Sequence, residues 1–389
     1  MTAPLLFLVA GEPSGDALGA ALMRALVAET GGEVRFAGVG GPLMEAEGLR
    51  SLFAQDDLAV MGLVEVLPRL PRLLRRIAQT AAACVAARPD ALITIDSPSF
   101  GLRVARKVRA ADPGVRTIHY VAPSVWAWRP GRARKMAAHV DHLMALLPFE
   151  PPWFTPHGMS CDFVGHPVAA LSRPAPEEIS ALRAELGVAP EAPLLLALPG
   201  SRVGEVRRHA APFGAAVAAL AARRPGLRVL LPTFGAAAQA ARALTADWRP
   251  APILFDAQEA GARKWAAFAA ADAALAASGT VTLELAAMGA PMVSAYRINP
   301  LTALIVRHLI KVKTANLVNL LAGRDAIPEF LQERFRPEAV ADALDALMDP
   351  GPARARQLAA CVEAMAAVGA GGPDPALRAA RSALGALRG

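Results

Sequence analysis

The chain has 389 residues, 54% hydrophobic and 19% charged, with 33 Pro and 31 Gly; this excludes an intrinsically disordered or collagen-like protein and is enough chain for two domains or one large α/β unit. The formal net charge of +7 favours anionic partners such as phosphorylated substrates, nucleic acid or acidic lipid, while an aromatic content of 5% with only 2 Tyr argues against a base-stacking platform for single strands. Cys84, Cys161 and Cys361 are far apart and odd in number, so a disulfide framework and a paired metal spacing are both excluded and a reducing, cytoplasmic setting is expected.

Pro4–Ala10 is apolar, has no basic segment before it and runs straight into Gly11-Glu12-Pro13. It reads as a buried strand, not a signal peptide, and no apolar run reaches the ~18–20 residues of a spanning helix. In the turn Gly11–Asp16, two glycines permit close approach or positive φ, and Ser14 and Asp16 can cap the helix that follows. Its Leu18, Leu22, Ala25 and Leu26 share a face. That turn fits a plain capped connection or a ligand loop, with the extra carboxylate of Glu12 favouring the second. Val34–Val39 is the next strand. Residues 61–77 then interleave aliphatics (Leu63, Val64, Val66, Leu67, Leu70, Leu73, Leu74, Ile77) with Arg69, Arg72, Arg75 and Arg76. Such a helix packs on its own sheet or docks on an anionic membrane interface. The strand Ala91–Ile95 ends on Asp96-Ser97-Pro98-Ser99-Phe100. A carboxylate at the mouth of a central strand suits a general base and equally a helix cap. Arg116–Val121, His142–Leu146 and Cys161–Val164 complete the first series.

From Leu171 to Pro193 the chain is polar and Pro-rich apart from a helix at Pro176–Leu186. A second series follows: Leu194–Leu198, Arg228–Pro232, Ile253–Phe255, Ala273–Ala276 and Pro291–Tyr296. Leu198-Pro199-Gly200-Ser201-Arg202 opens a helix with small residues whose N–H groups are available to a phosphate, and Arg202 adds a charged fork. The Gly-Lys-Ser/Thr ending of a P-loop is missing. Ser278, Gly279 and Thr280 open another helix, with Glu284 one to two turns in, placed for ribose hydroxyls or for an ordinary helix face. Val306–Lys313 is a second, weaker basic and apolar segment, and the C-terminal stretch reads as all helix. His119, His139, His142 and His166 form no metal pattern, and no Gly-x-Ser-x-Gly elbow occurs. The alternation predicts two doubly wound parallel-sheet α/β domains, 1–170 and 171–350. Helices 351–389 are left free to pack back on the N-terminal domain. In such sheets ligands bind beyond the carboxyl ends of the strands, where all four polar loops fall.

Ten stretches together resemble one family, lipid-A-disaccharide synthase. They are Ala-Gly-Glu-Pro-Ser-Gly-Asp (10–16), Gly-Val-Gly-Gly-Pro-Leu-Met (38–44), Met-Gly-Leu-Val-Glu-Val-Leu (61–67), Asp-Ser-Pro-Ser-Phe (96–100), Tyr-Val-Ala-Pro-Ser-Val-Trp-Ala-Trp-Arg (120–129), Leu-Pro-Phe-Glu (147–150), Phe-Val-Gly-His-Pro (163–167), Leu-Pro-Gly-Ser-Arg (198–202), Ser-Gly-Thr to Leu-Glu (278–284) and Asn-Leu-Leu-Ala-Gly-Arg to Glu-Phe-Leu-Gln (319–332). The tryptophan-bearing run at 123–129 is the most specific. One departure is Val318, where the family pattern has proline.

The resemblance implies two Rossmann-like domains facing a cleft, the GT-B plan. It implies an inverting transfer of the sugar of UDP-2,3-diacylglucosamine to 2,3-diacylglucosamine 1-phosphate (lipid X), giving the β-1,6 lipid A disaccharide 1-phosphate and UDP. On this reading Asp96 is the base, with Glu12 or Asp16 as substitutes. Ser14 and Gly15 bind substrate, and Arg202 with the N–H groups around Ser278, Gly279 and Thr280 steadies the departing UDP. Glu284 takes the ribose, and Asn319, Glu329 and Gln332 complete the nucleotide site. No metal and no cofactor is expected, and no nucleic-acid partner. Residues 61–77 would dock on the inner face of the bacterial inner membrane, making the protein cytoplasmic and peripheral; the oligomeric state is left open. The rival readings are a UDP-N-acetylglucosamine 2-epimerase on the same plan and a non-catalytic nucleotide-sugar-binding membrane scaffold.

Overall fold

A computed structural model describes residues 3–58, 63–233, 235, 237–257, 261, 263–298 and 312–387. The chain forms two compact units, Met1–Ala170 with Gly371–Gly389, and Leu171–Ala370.

The first unit is built on six parallel strands: β1 (Leu5–Ala10), β2 (Arg35–Val39), β3 (Ala91–Ile95), β4 (Arg116–Tyr120), β5 (His142–Ala145) and β6 (Ser160–Phe163), in the order β2-β1-β3-β4-β5-β6. β1 is a continuous apolar run, and β3 is fully buried with Thr94 its one polar residue, because both faces of the sheet are covered. On one face Leu6, Leu8, Ile93, Ile95 and Ile118 pack against Leu22, Met23 and Leu26 of the helix Pro13–Glu29. On the other, Phe7, Val9 and Leu92 meet Ile77, Ala81 and Cys84 of the helix Leu63–Ala87 and Val104, Ala105 and Val108 of the helix Gly101–Ala111. Each fully buried aliphatic of this kind contributes roughly 1.5–3 kcal/mol. The winding reverses between β1 and β3, so the crevice of this sheet opens between their carboxyl ends.

The second unit repeats the plan with β7 (Leu194–Leu198), β8 (Arg228–Thr233), β9 (Ile253–Asp256), β10 (Ala273–Ala276), β11 (Met292–Tyr296) and β12 (Glu329–Leu331), in the order β12-β11-β10-β7-β8-β9. Leu195, Ala197, Val229 and Leu275 face Val206, Phe213, Val217 and Leu220 of the helix Val203–Ala221 and Leu344 of the helix Pro337–Met348. Here the winding reverses between β7 and β10. The eleven strands expected from the sequence are all present. β12 was not anticipated: it is a three-residue edge strand whose residues are only half-buried, too short for periodicity to register.

The C-terminal helices separate. Pro352–Ala367 stays with the second unit, where Gln357, 2% exposed, exchanges both side-chain amide hydrogen bonds with the Met292 backbone (2.6 and 2.9 Å). Pro375–Ala386 crosses back to the first unit, burying Ala379, Ala380 and Ala383 beside Leu22 and Leu26.

Within 61–77, Met61 and Gly62 lie outside the described residues, as does most of Val306–Lys313. Ile77 is buried and Leu73 half-buried on the core, whereas Leu74 is 47% exposed. Arg72 and Arg76 both pair with Asp57, and Arg76 also lies 4.3 Å over the Phe53 ring. Among the described residues, no helix is long and apolar enough to cross a membrane.

Candidate active site

In the first unit, two of the singled-out loops leave the sheet side by side at the β1–β3 crevice. Asp96 follows β3 directly, and its N–H donates to Tyr120 O of β4 at 2.8 Å. The Ser14 hydroxyl donates to Asp96 Oδ2 at 2.7 Å. The following helix starts only at Gly101, with no side-chain cap, so the Asp96 carboxylate is not spent on capping. Asp96 and Ser97 stand at φ +50° and +39°, and Val121, just past β4, at +83°. A β-branched residue there is a genuine strain, and strain of this kind gathers at functional sites. Gly11 and Gly15 let the turn close onto β3: a Cβ on Gly11 would stand 3.0 Å from Ser97 Oγ, and one on Gly15 3.2 Å from Ile95 O. Glu12 is half-buried at the N-cap position of its helix, with no side-chain cap bond.

Asp16 has a different task. It is 3% exposed, and its carboxylate accepts from the backbone N–H groups of Gly41 (2.9 Å), Leu43 (3.0 Å) and Met44 (3.0 Å). It thereby caps the helix Pro42–Ala46 from a distance of 25 residues in sequence. A carboxylate satisfied by three amides has little left to offer a substrate proton. Gln55, which the sequence reading passed over, braces the same turn by donating to Ala10 O (3.2 Å) and Glu12 O (3.1 Å).

Beyond β4, the Trp126 indole N–H donates to Glu150 Oε1 at 3.2 Å and the Leu147 N–H to Oε2 at 3.0 Å. Burial pushes the Glu150 carboxyl up to about 7 against these hydrogen bonds. Burial likewise holds His119 down to about 3 and His166 to about 4, so both are neutral core groups. His119 Nδ1 shares a 2.7 Å hydrogen bond with Thr94 Oγ1, and among the described residues its Nε2 has no partner.

In the second unit, the β7 and β10 loops flank the other crevice. Gly200, at φ +131°, is required: a Cβ there would stand 2.4 Å from the Glu205 Cβ. The geometry differs from expectation in one respect. The N–H groups of Ser201 and Arg202 are not free, since both donate to Glu205 Oε2 (3.2 and 3.3 Å), and the Tyr296 hydroxyl donates to Oε1 (3.1 Å). This is half of a capping box, and the Glu205 spacing was its legible signal. His209, fully buried, ties the turn to β11: its Nδ1 donates to Pro199 O (2.6 Å) and its Nε2 accepts from the Arg297 N–H (3.0 Å). Arg202 itself is exposed at the helix N-terminus.

At the β10 loop several backbone donors are unpaired: among the described residues, the N–H groups of Gly279, Thr280 and Val281 have no hydrogen-bond partner, and Gly279 at φ +151° leaves open space on its Cβ side. Glu284 pairs with Lys264 Nζ, 3.1 Å from both oxygens, a cation that no local pattern connects to it. Residues 314–319 bring several candidates together. The Ser278 hydroxyl donates to Ala315 O (2.8 Å), and the Ala315 N–H donates to Glu329 (3.1 Å). Burial raises the Glu329 carboxyl above its ordinary range. Asn319 is a loop staple: its Oδ1 accepts from the Ala326 and Ile327 N–H groups (3.0 and 2.7 Å) and its Nδ2 donates to Ile327 O (2.9 Å). Its own position is fixed by Asn316, which caps the helix Leu317–Ala322 and accepts the Val318 N–H at 2.9 Å, a hydrogen bond proline could not make. Gln332 follows β12 at φ +52°.

Solved structures share this architecture at low sequence identity. UDP-GlcNAc 2-epimerase from Neisseria meningitidis bound to UDP-GlcNAc superposes with a TM-score of 0.64 at 10% identity, covering 99% of both chains. CalG4, the calicheamicin glycosyltransferase, gives 0.58 at 17%, covering 100% of this chain and 99% of that one. The fold is thus the two-domain GT-B plan. A family model described as lipid-A-disaccharide synthetase matches residues 6–366. Lipid-A-disaccharide synthase of Ruegeria pomeroyi is 52% identical over 389 residues (98% of this chain, 95% of that one), and that of Rhodospirillum centenum 47% over 383 (98% and 94%). The chain belongs to the lipid-A-disaccharide synthase family, and is a glycosyltransferase of lipid A biosynthesis.

Proposed function

We propose that the first unit binds and activates 2,3-diacylglucosamine 1-phosphate while the second holds UDP-2,3-diacylglucosamine. The observation that carries this reading is the arrangement at the two crevices. One has a carboxylate, Asp96, not committed to a cap and polarised by the Ser14 hydroxyl. The other has three backbone donors, at 279–281, that lack partners within the described chain. Asp96 takes the proton of the acceptor 6-hydroxyl as that oxygen attacks the donor's anomeric carbon. The bond to the diphosphate breaks on the opposite face, which inverts the configuration. The charge developing on UDP is met by the donors at 279–281 and by Arg202, as electrostatic stabilisation of a leaving group requires.

Glu12 borders the acceptor crevice. Asp16 acts through position: by tying residues 41–44 to the first turn, it fixes the backbone that presents Ser14 to Asp96. Glu284, held by Lys264, faces the ribose hydroxyls. Ser278, Glu329 and Asn319 shape the uridine end by holding residues 314–319 and 326–327, and Gln332 borders it. The exposed Leu74 and its neighbours in 61–77 dock on an anionic membrane surface, from which both amphiphilic substrates are drawn. The epimerase likeness is one of fold alone, and the family assignment favours transfer over epimerisation.

The test is a coupled assay with UDP-2,3-diacylglucosamine and lipid X, with the product identified by mass. A disaccharide 1-phosphate and stoichiometric UDP are expected; UDP binding without a disaccharide would leave only a binding protein.

A further inference from the structure

The segment after β4 carries positive charge that nothing beside it neutralises. The Arg129 guanidinium lies 4.0 Å over the Trp128 ring, which is itself 37% exposed. Three residues on, Arg132 is half-buried. Among the described residues, neither arginine forms an ion pair or a side-chain hydrogen bond. Several half-buried guanidiniums elsewhere are neutralised by carboxylates, Arg76 by Asp57, Arg109 by Asp141 and Arg224 by Asp345, and others, Arg297 and Arg354, donate to backbone carbonyls; Arg116 is the other half-buried arginine left with neither among the described residues. At Arg132 both burial and the like charge of Arg129 work against the cation. Its charge reaches His119, whose buried Nε2 also lacks a partner among the described residues. Holding two guanidiniums together, one of them partly desolvated, is unfavourable unless an anion joins them.

The pair stands at the acceptor end of its sheet. Ala122, Val125 and Ala133, which bracket Arg129 and Arg132, share a buried cluster with Leu102, and Leu102 is the second residue of the helix entered from the Asp96 loop. β3 and β4 run in register up to Ile95 and Tyr120, so the loop that carries the arginines and the loop that carries Asp96 leave neighbouring strands at the same end.

We propose that Arg129 and Arg132 form the subsite for the phosphomonoester of the acceptor, at the other side of the sugar ring from the hydroxyl that Asp96 deprotonates. This rests on the acceptor assignment made above. A phosphomonoester carries between one and two negative charges at neutral pH. Two forked guanidiniums match its oxygens with charge-assisted hydrogen bonds, and the Trp128 face holds one fork in place beforehand. A cation pair of this kind, one member half-buried and the other exposed, selects a phosphorylated acceptor over the bare sugar, because the bare sugar leaves both charges uncompensated.

The test is calorimetric titration of a short-chain acceptor, with and without its phosphate, into the wild-type protein and the Arg132→Gln and Arg129→Gln variants. Binding needs no turnover, so the wild-type disaccharide assay judges the functional reading separately. Wild type is expected to bind the phosphorylated acceptor about 10- to 100-fold more tightly than the bare one, the scale of a charged hydrogen bond. Each variant should lose most of that preference while keeping its affinity for UDP, and Arg132→Lys should restore part of it. Arg129 is exposed, so its variant carries the test even if Arg132→Gln folds poorly. A variant that keeps the phosphate preference overturns the proposal, as does equal weakening toward both acceptors. Loss of sedimentation with phosphatidylglycerol vesicles, with the preference intact, would assign the arginines to a lipid headgroup instead and also overturns it.

Discussion

Replacing Asp96 with asparagine separates chemistry from architecture. Asparagine tolerates the left-handed backbone at φ +50° as well as aspartate does, and its amide oxygen can still accept the Ser14 hydroxyl, now at 2.7 Å. The folded state loses only the charge contribution to one hydrogen bond, about 1 kcal/mol, which for a unit of this size lowers Tm by roughly 2–4 °C. The reaction loses its base. A general base contributes about 10²–10⁴-fold, so kcat in the disaccharide assay should fall by that factor, with the affinity for UDP unchanged. Asp96→Ala should lose the same kcat and in addition about 1 kcal/mol of stability, because alanine is less at ease at positive φ. The comparison is decisive: an Asp96→Asn protein that turns over at the wild-type rate refutes the base assignment. One that unfolds well below the Asp96→Ala protein refutes the backbone argument.

Four further outcomes follow from the geometry. Arg202→Ala, at an exposed helix N-terminus, should raise the donor KM and lower kcat without moving Tm; unchanged kinetics would remove it from the donor site. Asp16→Ala strands three amide donors and should cost about 3 kcal/mol, a Tm drop of roughly 6–12 °C, whereas a drop below 2 °C would show that water replaces the carboxylate. Glu150 binds its proton more tightly when folded, at about 7, than when unfolded, so it subtracts stability as pH rises from about 4.5 to 7, by on the order of 3 kcal/mol in all. Urea melts at pH 5 and pH 8 should show a smaller loss for Glu150→Gln than for wild type, and parallel losses would contradict the burial argument. Ser replacement of Leu70, Leu73 and Leu74 should weaken sedimentation with anionic vesicles; since Leu73 alone of these packs against the core cluster, Leu74→Ser by itself should spare stability, and a collapse there would show that this face belongs to the core.

Strand positions were readable because both sheets are covered on both faces, so that even Ala-Ala-Leu-Ala at β10 stands out as a buried run between helices. The polar loops were readable because they follow those runs at once. The partners of the loop residues were not readable. Asp16 reaches an amide 25 residues away, Glu284 meets a lysine from another helix, and Asn319 is spent on the loop before β12. Each of these contacts is created by tertiary closure and leaves no local periodicity. The same holds for the left-handed backbone at Asp96, Ser97 and Val121, where no glycine announces it. Residue type thus identified which positions are unusual, while the distinction between substrate contact and internal brace needed coordinates.

The return of Pro375–Ala386 to the first unit has a consequence for synthesis on the ribosome. The middle of the chain forms a contiguous unit that can close as soon as it emerges. The amino-terminal half must meanwhile wait with the flank of the helix Pro13–Glu29 that this segment covers left open until residues 375–386 are translated. At about 5–20 residues per second, the intervening 200 residues take roughly 10–40 s. During that interval the nascent chain presents an oily surface to chaperones, and the half that starts first is the half that finishes last.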